Sequence, residues 1–138
     1  MRVRLISDSH FSAAHRLHRA DWDEARNVEV FDKCNNPNGH GHTYGLEVTV
    51  EGEIDRETGY VMDFGDLRKA IEEGVIHKVD RKHLNHDVAF LAGVNPTAEN
   101  IAVGIWQQLV GRVAPAKLVR ITLQETDRNR VVYEGGEG

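Results

Sequence analysis

The sequence predicts an α+β fold: a four-stranded antiparallel sheet with two helices on one face, in the order β-β-α-α-β-β. Three observations predict it. Residues 2–15 and 40–54 alternate apolar and polar side chains with the period of a strand. Residues 64–79 and the stretch opened by Asn95-Pro96-Thr97 repeat apolar residues at helical spacing. Two strand-like runs, 117–125 and 131–133, follow with a turn between them. The 138 residues are the size of one ordinary domain, 1–138, and long enough to form a core without disulfides. Apolar content of 40% and charged content of 28% are those of a globular protein. A net charge of −5 with no basic run argues against a nucleic-acid surface. No apolar run reaches membrane-spanning length, and the N-terminus has no signal-peptide hydrophobic segment, so a cytoplasmic protein with no membrane partner is expected.

In the first strand Val3, Leu5, Phe11 and Ala13 form the apolar face, and His15 ends it. A lone histidine there is ordinarily a satisfied core or edge residue. Residues 16–38 have no clean period and are expected to form a long loop, with a short helix within Trp22–Phe31 and Cys34 near its end. In the second strand His40, His42, Tyr44, Leu46, Val48 and Val50 share one face, so the parity that buries Leu46 and Val48 turns both histidines inward. Asp55-Arg56-Glu57-Thr58-Gly59 reads as a turn, after which Tyr60-Val61-Met62 is expected to resume the sheet. Leu67, Ala70, Ile71 and Val75 stripe the first helix, with its cap from Asp63 or Gly65-Asp66. The dense polar segment Asp80–Asp87 reads as a solvated loop. Thr97 is expected to cap the second helix, whose stripe is Ile101, Ile105, Leu109 and Val113, flanked by Trp106. In the strand 117–125, Val119, Ile121 and Leu123 share a face that Glu125 ends; that carboxylate is either solvated at the sheet edge or held for a hydrogen-bonding ligand.

The most informative stretch is Cys34-Asn35-Asn36-Pro37-Asn38-Gly39-His40-Gly41-His42. A His-x-His pair in a strand places both imidazoles on one face. If the first two strands pair as a hairpin, His15 joins them. Three nitrogens and an open position make a catalytic zinc pattern, whereas Cys34 as a fourth ligand would close the site and make it structural. The one cysteine excludes an internal disulfide and leaves Cys34 as a buried small residue, a ligand or a reactive thiol. An open site would polarise a substrate oxygen, with a nearby thiolate as general base. There is no HExxH, Cys-x-x-Cys, standard phosphate loop or nucleophile elbow.

Five landmarks in order then resemble the 6-pyruvoyl-tetrahydropterin synthase and 6-carboxy-tetrahydropterin synthase family over nearly the whole chain. They are Phe11-Ser12-Ala13-Ala14-His15-Arg16-Leu17, the stretch Cys34 to His42, Met62-Asp63-Phe64-Gly65-Asp66-Leu67, Asn95-Pro96-Thr97-Ala98-Glu99-Asn100 and Gln124-Glu125-Thr126-Asp127. The resemblance implies the tunnelling fold, in which trimers pair into homohexamers with active sites between subunits. It implies Zn2+ on His15, His40 and His42, Cys34 as the catalytic cysteine, and Glu125 anchoring the pterin ring with Thr97 nearby. It implies 7,8-dihydroneopterin triphosphate as substrate. The product is then 6-pyruvoyl-tetrahydropterin with loss of triphosphate, on the tetrahydrobiopterin route, or 6-carboxy-tetrahydropterin with loss of acetaldehyde, on the queuosine route. The five residues between Cys34 and His40 resemble the pyruvoyl branch, and Asn95-Pro96-Thr97 the queuosine branch.

One departure stands out. The family pairs its cysteine with an Asp-His dyad; here Asp80 matches and Arg81 replaces the histidine. A guanidinium stays protonated across the range in which enzymes work and cannot relay a proton. Either His83 takes the role, or the chemistry is altered, or activity is reduced, leaving a pterin-binding protein or an enzyme for a related pterin. Arg81 is alternatively a phosphate-holding group.

Overall fold

A computed structural model describes residues 1–136. Its elements are β1 (Arg2–His15), α1 (Glu24–Phe31), a 3₁₀ turn (Asp32–Asn35), β2 (His40–Glu53), α2 (Phe64–Ile71), a π turn (Glu72–Ile76), α3 (His77–Val79), β3 (Lys82–His83), a second 3₁₀ turn (Ala89–Leu91), α4 (Ala98–Leu109), β4 (Lys117–Gln124) and β5 (Arg130–Tyr133). The α+β expectation holds, but the sheet has five strands, in the order β3-β1-β2-β4-β5, and it is mixed. The added strand is β3, which runs parallel to β1 at Ala13–Ala14 inside the segment expected to be a solvated loop. Arg81 N–H donates to Ser12 O (2.6 Å) and Leu84 N–H to Ala14 O (2.8 Å), while Leu84 is fully buried. A two-residue strand has no alternation to read, which is why the polar composition of 80–87 concealed it.

β1 and β2 pair antiparallel along their whole length, from Arg2 opposite Glu53 to His15 opposite His40. The expected parity is observed towards the histidine end, where Phe11, Ala13 and His15 are buried from β1 and Tyr44, Leu46 and Val48 from β2, but Val3 at the far end is exposed and Thr49, of the opposite parity, is buried. A register shift between Thr49 and Val50 against β4 changes one detail of the expected face. Leu118 opposes Val50 and is buried, and Val119 is only half-buried.

The helices packed on the sheet are α2, α3 and α4, so the described residues hold more than the two helices expected. Asp63 caps α2 through Gly65 N–H (2.6 Å). Leu67, Ile71, Val75 and Val79 are all 0% exposed. These four sit four residues apart, so a strict α-helix would rotate them steadily off the core. The wider π turn at Glu72–Ile76 offsets that drift. Thr97 caps α4 through Asn100 N–H (3.2 Å), and Ile101, Ile105, Leu109 and Val113 are buried as expected. Tyr60-Val61-Met62 does not resume the sheet. The turn before it closes on itself, with Asp55 Oδ1 accepting from Glu57 and Thr58 N–H. Only three residues then remain before the Asp63 cap, and Val61 and Met62 plug the core from a bend. No helix among the described residues is long and apolar enough to cross a membrane.

Candidate active site

The antiparallel register that places His15 opposite His40, two residues from His42, gathers the three imidazoles at one end of the sheet. One nitrogen from each lies within 4.8 Å of the others, a set able to hold a metal ion. His40 Nε2 and His42 Nε2 are 3.0 Å apart. His15 is fully buried and its Nδ1 lies 2.8 Å from Pro96 O. A carbonyl only accepts, so Nδ1 carries the proton and the lone pair is on Nε2. That Nε2 is buried with no hydrogen-bond partner. An unpaired buried acceptor beside two more imidazoles is what a cation would satisfy, and the carbonyl behind the ring is how metal-binding histidines are held. The donor set therefore fits a metal ion.

Burial lowers the pKa of His15 below the ordinary imidazole value, with Pro96 and the Glu125 charge opposing. Burial also lowers His42, again against Glu125. Burial, then Glu125 and Asp32, pushes the Cys34 thiol up. Burial and the same Glu125 charge push the Tyr44 phenol well above its usual range. The Glu125 charge thus acts on all four groups from just past the end of β4 at Gln124.

Cys34 sits in the 3₁₀ turn after α1, with Sγ 3.8 Å from His40 Nε2. The metal-competent set consists of the histidines without it, among the described residues. Its turn is tied to the chain leaving β1. Leu17 N–H donates to Cys34 O (2.7 Å), the buried Asn35 amide donates to Leu17 O (2.8 Å), and Arg16 Nε donates to Asn35 O (3.1 Å). Sequence reasoning missed Asn35, Pro96 and the buried Tyr44 hydroxyl, 3.4 Å from His15 Nδ1. The apolar face containing Tyr44 was the only available signal; a carbonyl such as that of Pro96 has none.

Thr97, Ala98, Glu125, Asn129 and Arg130 line a cavity of about 380 Å³. The loop presenting Glu125 is held by its N–H donating to Asn129 O (3.1 Å). Asp80, Arg81 and His83 lie on the segment that pairs with β1 at Ala13 and Ala14, and His83 Nε2 stands next to Gly39. Asp80 Oδ1 accepts from Ser12 N–H (2.9 Å), and Arg81 is exposed at φ +61°. His83 accepts at Nδ1 from Asn85 N–H (3.3 Å) and donates its own N–H to Asp87 (3.0 Å). Among the described residues no hydrogen bond joins any of these three to Cys34.

Gly39, between Cys34 and the histidines, has φ +74°, and a Cβ there would stand 2.9 Å from both His15 O and His83 Nε2. The first contact is backbone and cannot swing away. Gly39→Ala is therefore expected to destabilise the fold by about 1–3 kcal/mol and to loosen the histidine cluster. Chemical denaturation with a metal titration checks both effects.

The sequence profile of the 6-pyruvoyl tetrahydropterin synthase family matches residues 4–136. The chain is 47% identical over 125 residues to human 6-pyruvoyl tetrahydrobiopterin synthase, covering 91% of this chain and 86% of the relative. It is 37% identical over 135 residues to dihydroneopterin monophosphate aldolase of Pyrococcus furiosus, covering 97% and 99%. The structure of Caenorhabditis elegans 6-pyruvoyl tetrahydropterin synthase superposes with a TM-score of 0.92 at 38% identity, covering 99% of this chain and 97% of that one. The histidine cluster and the fold thus occur together in a chain that belongs to the 6-pyruvoyl tetrahydropterin synthase family and is a lyase of that family.

Proposed function

We propose that the chain is a zinc-dependent lyase acting on 7,8-dihydroneopterin triphosphate. Its product is 6-pyruvoyl-tetrahydropterin with release of triphosphate, or 6-carboxy-tetrahydropterin on the queuosine route. The observation that carries the reading is the buried, unpartnered Nε2 of His15 beside His40 and His42, with Cys34 Sγ 3.8 Å from His40. The similarity to human 6-pyruvoyl tetrahydrobiopterin synthase supports the pyruvoyl product.

His15, His40 and His42 hold the Zn2+ in this reading. When bound, the ion supplies positive charge that polarises a substrate oxygen and favours the Cys34 thiolate. Cys34 Sγ takes a proton from the side chain of the pterin and returns it to the neighbouring carbon. Glu125 orients the ring by accepting from its N–H groups, with Thr97 beside it in the same cavity. Asp80 and His83 are the groups through which the proton is exchanged, and Arg81 binds substrate phosphate. These three lie on or beside β3, an edge strand, with no hydrogen bond to Cys34 of their own chain among the described residues. In this reading the sites are completed between copies in a cytoplasmic homohexamer.

The test is to incubate zinc-loaded protein with 7,8-dihydroneopterin triphosphate, follow triphosphate, and identify the pterin by mass. A pyruvoyl or carboxy product settles the branch; unchanged substrate overturns the lyase reading. Glu125→Gln is expected to weaken 7,8-dihydroneopterin binding about 10–100-fold, the worth of a charge-assisted hydrogen-bond pair. Fluorescence titration measures it.

A second reading is favoured by Arg81: a family member whose standard activity is altered or lost, turning over or merely binding a related pterin. The similarity to an enzyme named for aldol cleavage of dihydroneopterin monophosphate supports this alternative. Arg81→His is expected to raise triphosphate release several-fold if the relay is impaired. No gain, together with a loss on His83→Ala, assigns the relay to His83.

A further inference from the structure

β1 ends at His15, and the next three residues, 16–18, belong to no strand or helix. Their backbone groups still need partners, because they are half-buried. Asparagine side chains supply most of them. Asn85 Oδ1 accepts from Arg16 N–H (2.8 Å) and its amide nitrogen donates to Arg16 O (2.8 Å), so one side chain serves both groups as a neighbouring strand would. Asn95 Oδ1 accepts from His18 N–H (3.1 Å). Between them Leu17 N–H donates to Cys34 O (2.7 Å). The buried Asn35 donates one amide hydrogen to Leu17 O (2.8 Å) and the other to His18 Nδ1 (3.0 Å). A carbonyl only accepts, so the Leu17 contact fixes which way the Asn35 amide faces and leaves His18 Nδ1 as an acceptor.

This strip is what joins Cys34 to the histidines. Along the chain, five residues that include Pro37 and a left-handed Gly39 separate Cys34 from His40. On the other side, α1 packs chiefly on the 3₁₀ turn. It is closed on itself by the buried Asn27, whose amide donates to Arg19 O (3.0 Å) and Asp23 O (3.1 Å) and whose Oδ1 accepts from Arg19 N–H (2.8 Å). Neither neighbour sets the 3.8 Å from Cys34 Sγ to His40 Nε2. The strip does, because it starts at His15, opposite His40 in the hairpin, and is bonded to the Cys34 turn two residues later.

We infer that Asn35 is a positioning residue for Cys34: its amide locks the turn that carries the thiol against the strip leaving His15, and Asn85 braces that strip from the β3 side. The Leu17–Cys34 backbone bond alone is a pivot. The two Asn35 bonds fix the angle about it. This role rests on the reading of Cys34 as the proton-transferring group beside the metal.

Cys34 is the one cysteine, so protein carrying isotope-labelled cysteine gives a single side-chain NMR signal, which cobalt bound at the histidines broadens by proximity. The native chain is compared with Asn35→Ala and with Asn85→Ala at a part-buried position, and each is assayed for zinc affinity and for turnover of 7,8-dihydroneopterin triphosphate. Asn35→Ala is expected to lose several-fold of the broadening and about a hundredfold in kcat, the scale of a misplacement of about 1 Å, with KM and zinc affinity within about twofold. Asn85→Ala is expected to show the same change to a smaller degree, and it decides the matter if Asn35→Ala does not fold. A cysteine signal as broad in the variants as in the native chain overturns the role, whatever happens to turnover. Zinc affinity that falls in step with kcat also overturns it, because Asn35 then supports the histidines and not the thiol. Broadening lost in the variants of a chain that turns over no pterin keeps the role and overturns the lyase reading instead.

Discussion

Replacing His42 with alanine is expected to reduce metal affinity at least about a hundredfold and turnover in proportion to the metal lost, with the fold retained. Removing an outer-shell partner of a ligand costs 10–100-fold, so losing one of three donors costs at least the upper end of that range. His42 is the instructive choice because it is half-buried, whereas His15 is fully buried and its removal would also open a cavity. Metal content by mass spectrometry, with activity against added zinc, checks it. A chelator should expose a related effect. In the metal-free protein His15 and His42 titrate below the ordinary imidazole value, because burial disfavours their charged forms. Between the folded and unfolded pKa values the unfolded chain binds more protons. Stability is therefore full above about pH 6.5 and falls as the pH drops through that value. Thermal melts of chelated protein from pH 8 to pH 5 should show the decline, and zinc should oppose it.

Cys34→Ala is expected to lower turnover roughly 10²–10⁴-fold, the worth of a general base, while leaving 7,8-dihydroneopterin and zinc affinities within about twofold. The split follows from the geometry. Cys34 lies 3.8 Å from His40 Nε2, but its turn is held by the Leu17 N–H, the Asn35 amide and the Arg16 guanidinium, through backbone carbonyls that the substitution leaves in place. A large loss of zinc in the variant would instead make Cys34 a fourth ligand and the site structural. Cobalt substitution gives the same decision optically: a thiolate-to-cobalt charge-transfer band identifies a coordinating cysteine.

The elements with a strong period were legible in the chain. Alternation in 2–15 and 40–54 located both long strands and the faces of the residues near the histidines, because strand parity is a local property, whereas Thr49 is buried from the face read as polar and Val3 is exposed on the face read as apolar. The same parity put His15, His40 and His42 on one face, and Glu125 at the end of another, before any fold was known. Helical spacing located α2 and α4 with their caps at Asp63 and Thr97. Only tertiary structure supplied the rest. β3 exists because two backbone groups of an otherwise polar loop complete the edge of β1 at Ser12 and Ala14, and such pairing has no side-chain signature. The tautomer of His15 is set by Pro96, 81 residues away, through a carbonyl that every amino acid possesses. Arg81 reads from the sequence as a lost histidine. Its left-handed backbone is a consequence of where the chain crosses β1, which long-range pairing decides and local composition does not.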